Sequence, residues 1–211
     1  MRPFRGSQAG GVRRILVLLL LAVGGSPSAA AQFQFAGEFT LPLFRSSASA
    51  AELNGDGVLD LVAAGADGRQ AWMRGLGGGD FDAPGERGDT GDAGAVALAG
   101  DVDGDGHVDV VAVARPLAAS VQVALIRGLG GGTFGPIEEQ AEIGAPDPNR
   151  SVRASLLADL DGDGDIDLVH AVTRVGVVVQ WNLGGTFSPG TPVYSDPRGA
   201  VSVDVADLDG D

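Results

Sequence analysis

Asp101-Val102-Asp103-Gly104-Asp105-Gly106-His107-Val108-Asp109 is the stretch whose reading decides the fold. The phrase stands also at Glu52-Leu53-Asn54-Gly55-Asp56-Gly57-Val58-Leu59-Asp60 and at Asp159-Leu160-Asp161-Gly162-Asp163-Gly164-Asp165-Ile166-Asp167. Its first five residues return at Asp207-Leu208-Asp209-Gly210-Asp211. First positions lie 49, 58 and 48 residues apart, so one structural unit of about fifty residues recurs along the chain. Oxygen-bearing side chains at positions one, three and five, with glycine at six, describe a turning loop that can surround calcium.

Calcium takes about six to eight oxygen ligands in a tolerant geometry. In the second copy the expected ligands are Asp101, Asp103, Asp105 and Asp109 with the His107 carbonyl. In the third they are Asp159, Asp161, Asp163 and Asp167 with the Asp165 carbonyl, and in the first Glu52, Asn54, Asp56 and Asp60 with the Val58 carbonyl. Asp207, Asp209 and Asp211 begin a fourth set that cannot close a shell as written. Asn54 is neutral, so the first loop is expected to bind most loosely. An EF-hand is excluded because position twelve, where it needs a glutamate, holds Ala63, Ala112 or His170. β-Roll toxin repeats are excluded by the fifty-residue period, and thrombospondin-type repeats by the absence of cysteine.

Around each loop the pattern reads as strands. Period-two runs precede it (Ala95 to Ala99, Val152 to Leu157, Val201 to Ala206), and nearly all-apolar runs follow it (Leu59 to Ala64, Val108 to Ala114, Ile166 to Val172). The continuous apolar character predicts strands buried on both faces. A third run then enters a glycine turn: Gln70 to Arg74 into Gly75–Phe81, Val121 to Arg127 into Gly128–Phe134, and Val175 to Trp181 into Asn182–Phe187. Phe81, Phe134 and Phe187 are equivalent and are expected to pin the turns onto the core. About four short strands per unit is the arithmetic of a propeller blade.

The acidic phrase, the apolar strand and the Gly-rich turn ending in Phe, recurring together in fixed order, resemble the FG-GAP/VCBS repeat family, the integrin-α-like β-propellers. The resemblance covers residues 35–211 and implies an all-β chain: an incomplete β-propeller region at 32–211 with about three and a half FG-GAP/VCBS blades. Because the sequence stops at Asp211, inside a loop, further blades and another domain are expected beyond it. Residues 1–31 read as a signal peptide: Arg2, Arg5, Arg13 and Arg14, the apolar and only helix-like run Ile15 to Val23, then Ala29-Ala30-Ala31. Cleavage there removes four arginines and no acid, taking the formal charge from −14 to −18.

That charge argues against nucleic acid as a partner, and the short apolar run against stable membrane insertion after cleavage. The expected address is exported: periplasm, cell surface or medium. Fifteen of the 28 acids fall within the four loops, which favours specific cation sites over a diffuse acidic face. Neither histidine sits in a catalytic pattern, and no nucleophile elbow, phosphate loop or His-Glu-x-x-His occurs. Trp72 is expected in the core, whereas Trp181 is a candidate for stacking on a sugar or peptide. The resemblance implies a calcium-binding, non-catalytic protein of adhesion or ligand binding, its partner an unknown protein or carbohydrate. The alternatives are the propeller part of an extracellular polysaccharide-degrading enzyme and a structural spacer in a larger surface protein.

Overall fold

The computed structural model of the chain describes residues 15–21, 32–39, 47–64, 69–82, 85–89, 96–114, 121–144 and 151–207. Among them there is no helix. The run read as helix-like is instead a strand, β1 (Ile15–Leu21), paired antiparallel with β2 (Gln32–Phe39) so that Ile15 faces Phe39 and Leu21 faces Gln32. A short apolar run is ambiguous between helix and strand, and the alternating Gln32-Phe33-Gln34-Phe35 supplies the ladder partner that settles it here. The alanine cleavage pattern lies outside the described residues.

Three four-stranded antiparallel sheets follow, each a simple meander. The first consists of β3 (Ser47–Ala51), β4 (Asp60–Ala64) and β5 (Arg69–Met73), then, past the miniature hairpin β6 (Gly75–Gly77) and β7 (Asp80–Phe81), β8 (Gly85–Asp89). The second is β9 (Val96–Gly100), β10 (Asp109–Ala114), β11 (Gln122–Gly128) and β12 (Phe134–Glu139). The third is β13 (Val152–Ala158), β14 (Asp167–Val172), β15 (Gly176–Gln180) and β16 (Thr191–Ser195). Register repeats from sheet to sheet: Ala51 opposes Asp60, Gly100 opposes Asp109, and Ala158 opposes Asp167. Each acidic phrase is therefore the connection between the first and second strands. The run Val201 to Ala206, read as the opening strand of a fourth unit, forms no strand. In the other units that strand is held by a ladder to the strand beyond the loop, and the described residues stop at Asp207.

The second strand of each sheet is buried (through Val113 in β10), as its nearly all-apolar sequence requires. The core lies at the seams between sheets. Leu53, Val62, Ala64, Ala97, Val110 and Ile126 join the first sheet to the second, with Trp72 and Phe134 packed on them edge-to-face at 6.3 Å. Val102, Val111, Val123, Leu125, Ile143, Leu168, Val178 and Phe187 join the second to the third. Two of the three expected Phe anchors thus belong to seams; Phe81 is half-buried. Trp72, expected in the core, is half-buried and packs against the first seam, and Trp181 is half-buried too.

One slice of the third sheet departs from its sisters. Where the second sheet pairs Ala97 with Ala112, the third pairs Ser155 with His170, and Gln180 stands at the register of Ile126. His170 is fully buried. Its Nδ1 lies 2.8 Å from Ser155 Oγ and its Nε2 3.0 Å from Gln180 Oε1. An amide oxygen only accepts, so Nε2 carries the proton and Nδ1 accepts from the serine hydroxyl. The Gln180 amide then donates to Ala141 O at 2.8 Å and to Ser188 O at 2.9 Å, carrying the chain into the second seam.

Burial lowers the His170 pKa to about 4, with the Gln180 hydrogen bond opposing. The unfolded chain binds the proton from about pH 6.5 downward, so His170 costs stability as pH falls from 6.5 toward 4. Urea unfolding should show about 2 kcal/mol of this loss between pH 6.5 and 5. A chain carrying the second sheet's residues (Ser155→Ala, His170→Ala, Gln180→Ile) should lack that loss over the same interval.

Candidate metal centres in the interstrand loops

The last aspartate of each phrase is the best-enclosed acid of its loop. Asp60, Asp109 and Asp167 are 0, 0 and 2 % exposed. A buried carboxylate needs hydrogen-bond donors on both oxygens, and the fold supplies them from two directions. Asp109 Oδ2 accepts the Val102 N–H at 2.9 Å, from inside the loop, and its Oδ1 accepts the Gly128 N–H at 2.7 Å, from the end of the third strand. Asp60 repeats this with Leu53 (3.0 Å) and Gly75 (2.7 Å), and Asp167 with Leu160 (3.0 Å) and Asn182 (2.9 Å). The approach is close: a Cβ on Gly75 or Gly128 would stand 2.2 or 2.4 Å from the carbonyl oxygen of Leu59 or Val108. The position-nine acid therefore has a bracing role that spacing alone does not reveal; the glycine or asparagine opening each turn was the available signal.

The first acid gathers the front of the loop. Asp101 accepts the N–H groups of Gly104 (2.8 Å) and Gly106 (2.9 Å), and Asp159 those of Gly162 (2.8 Å) and Gly164 (3.1 Å). Gly106 and Gly164 have φ of 86° and 97°, which explains glycine at position six. Asp105 and Asp163 at position five are exposed and accept the N–H two residues on, from His107 and Asp165.

This folding brings Asp101, Asp103 and Asp109 together, and likewise Asp159, Asp161 and Asp167, each residue offering a carboxylate oxygen within 4.8 Å of the others. Both groups could hold a metal ion. Asp105 and Asp163, named as ligands from the sequence, are not in these clusters. The donor set is all oxygen and anionic, which suits a hard cation of the calcium or magnesium kind and not a thiolate- or imidazole-seeking metal. Burial raises the Asp109 pKa against the Gly128 and Val102 N–H groups, with Asp103 and Asp105 adding repulsion. Asp161 is raised too, by desolvation first and then by the charges of Asp163 and Asp167, against the Asp163 N–H. A bound cation would remove that repulsion.

The first loop is built differently. Asn54 Nδ2 donates to both oxygens of Asp60, at 3.2 and 3.0 Å, and Glu52 Oε1 is occupied by the N–H groups of Asn54, Gly55 and Asp56. An amide thus faces the buried carboxylate on the side where the sister loops present a second acid. Of the fourth phrase, Asp207 forms no part of a described cluster, and Asp209 and Asp211 lie outside the described residues.

A family model described as FG-GAP-like repeat matches residues 52–112, 101–170 and 159–211. The chain belongs to this repeat family. Each match opens on the first residue of an acidic loop, Glu52, Asp101 or Asp159. A search of curated proteins finds no match.

Asp109→Asn should destabilise the chain by about 1–3 kcal/mol in urea unfolding, since an amide cannot accept both backbone N–H groups and leaves one buried donor unpaired. Measured with chelator present, the loss is independent of any metal.

Proposed function

We propose that the chain is an exported, calcium-stabilised β-propeller region that is non-catalytic and serves adhesion or ligand binding. The observation that carries this reading is the pair of three-carboxylate clusters, Asp101/Asp103/Asp109 and Asp159/Asp161/Asp167, repeated at one register in adjoining sheets. Calcium would be held by these acids and would offset two of the three converging charges in each cluster.

The consequence extends beyond the loop. Position two, buried as Leu53 and Val102, offers its carbonyl to the next sheet: Leu53 O accepts the Gly132 N–H at 3.1 Å and Val102 O accepts Asn182 Nδ2 at 2.7 Å. An ion that stiffens the loop therefore stiffens the seam, and a rigid seam fixes the surface loops with which a propeller meets a protein or carbohydrate partner. Membership of the repeat family and the N-terminal sequence pattern support export. Among the described residues no helix is long and apolar enough to cross a membrane. The one Ser–His pair in the described residues supports the non-catalytic reading, since His170 is fully enclosed with both ring nitrogens engaged.

Two ions per chain are expected, not three, because the Asn54 amide takes the place of a cation in the first loop. Calorimetric titration should give a stoichiometry near two, and the melting temperature should fall on addition of chelator. Asn54→Asp should restore the acidic set and raise the stoichiometry to three. A melting temperature indifferent to both calcium and chelator would overturn the reading.

A further inference from the structure

The residue that closes the third strand differs among the sheets: Arg74, Arg127 and Trp181 occupy one register. Arg74 pairs with Asp82 on the surface. Arg127 does something else. Its Nη1 binds Asp103 Oδ2, its Nε lies 3.2 Å from both carboxylate oxygens of Glu138, and its Nη2 donates to Gly185 O at 2.7 Å. Asp103 belongs to the second carboxylate cluster, Glu138 to β12 of the same sheet, and Gly185 to the glycine turn of the third sheet. Gly185 comes in close: φ is 91°, and a Cβ there would meet Asp103 Cβ at 2.8 Å and Arg127 Nη1 at 3.1 Å.

We propose that Arg127 sets the cation affinity of the second loop below that of the third, by holding Asp103 on a guanidinium that a divalent ion must compete with, and so couples that loop's occupancy to the second seam. The inference rests on the calcium reading given above. Asp103 has two oxygens: Oδ1 already accepts the Asp105 N–H, and Oδ2 is the one Arg127 takes. An ion bound between Asp101, Asp103 and Asp109 draws on the same carboxylate and repels the positive charge beside it. Glu138 is the counterweight, because it gives Arg127 a second anion and lessens its pull on Asp103. The third loop has Trp181 where the second has Arg127, and Asp165 where the second has His107, so the effect of Arg127 is read within the second loop.

The test measures calcium binding by calorimetry in the full chain, with Asp161→Asn present to silence the third loop. Arg127→Gln should tighten binding at the second loop by about 3- to 10-fold, as expected for removing a unit charge a few ångströms from a divalent ion in a solvated site. Glu138→Gln should weaken it by a comparable factor, because Arg127 then rests on Asp103 alone. Circular dichroism establishes that each variant is folded. Opposite signs for the two variants support the coupling, whereas a merely structural arginine weakens binding in both. Equal or weaker binding in Arg127→Gln overturns the inference while leaving the calcium reading intact. No binding at either the second or the third loop of the unaltered chain overturns both.

Discussion

The architecture depends on one carboxylate per sheet, taken out of water and held by backbone amides. Asp60, Asp109 and Asp167 each accept one N–H from position two of their own loop and one from the residue opening the glycine turn. These bonds tie three separate stretches of chain to a single point: the front of the loop, the start of the second strand and the end of the third. An ionised group so buried costs several kcal/mol unless its lone pairs are met, so the surrounding backbone has little freedom to rearrange. The acidic loop is thus part of the core as much as a surface turn.

The same loop also builds the contact with the next sheet. Leu53 and Val102 direct their side chains into seam cores while their carbonyls receive donors from the following unit. Leu160, at the equivalent place in the third loop, is 36 % exposed, where Leu53 and Val102 are 6 and 1 %. Burial at position two is therefore conferred by the neighbouring sheet and not by the loop itself. Seams vary in chemistry around this common plan: aromatic packing of Trp72 on Phe134 marks the first, whereas the second carries the Gln180 amide and the Arg127 guanidinium.

Much of this was legible in the sequence because the period is long and the phrase is unambiguous. Apolar runs such as Ile166 to Val172 fixed the buried second strands, and Gly106 and Gly164 marked where positive φ is needed. The site was legible only in part. Spacing treats Asp105 and Asp109 as equal ligands, yet Asp105 is exposed and Asp109 is enclosed, a difference set by the Gly128 amide arriving from nineteen residues away. Asn54 could be read as a weaker ligand but not as a donor facing Asp60, since amide orientation depends on the folded loop. Arg127 carried no sequence signal beyond its mismatch with Trp181. Ile15–Leu21 was read as helix-like, but short apolar runs suit either secondary structure and the next strand, β2, supplies its ladder partner.

Amide hydrogen exchange at Val102, Gly128, Leu160 and Asn182 tests the buried carboxylate brace most directly. These four N–H groups end on Asp109 and Asp167. The account predicts that, even without calcium, they exchange as slowly as the buried ladder amides of β10 and β14, and far more slowly than Gly104 and Gly162 in the same loops. Exchange at the rate of those exposed glycines would mean that the carboxylates do not hold the sheets together, and would contradict it.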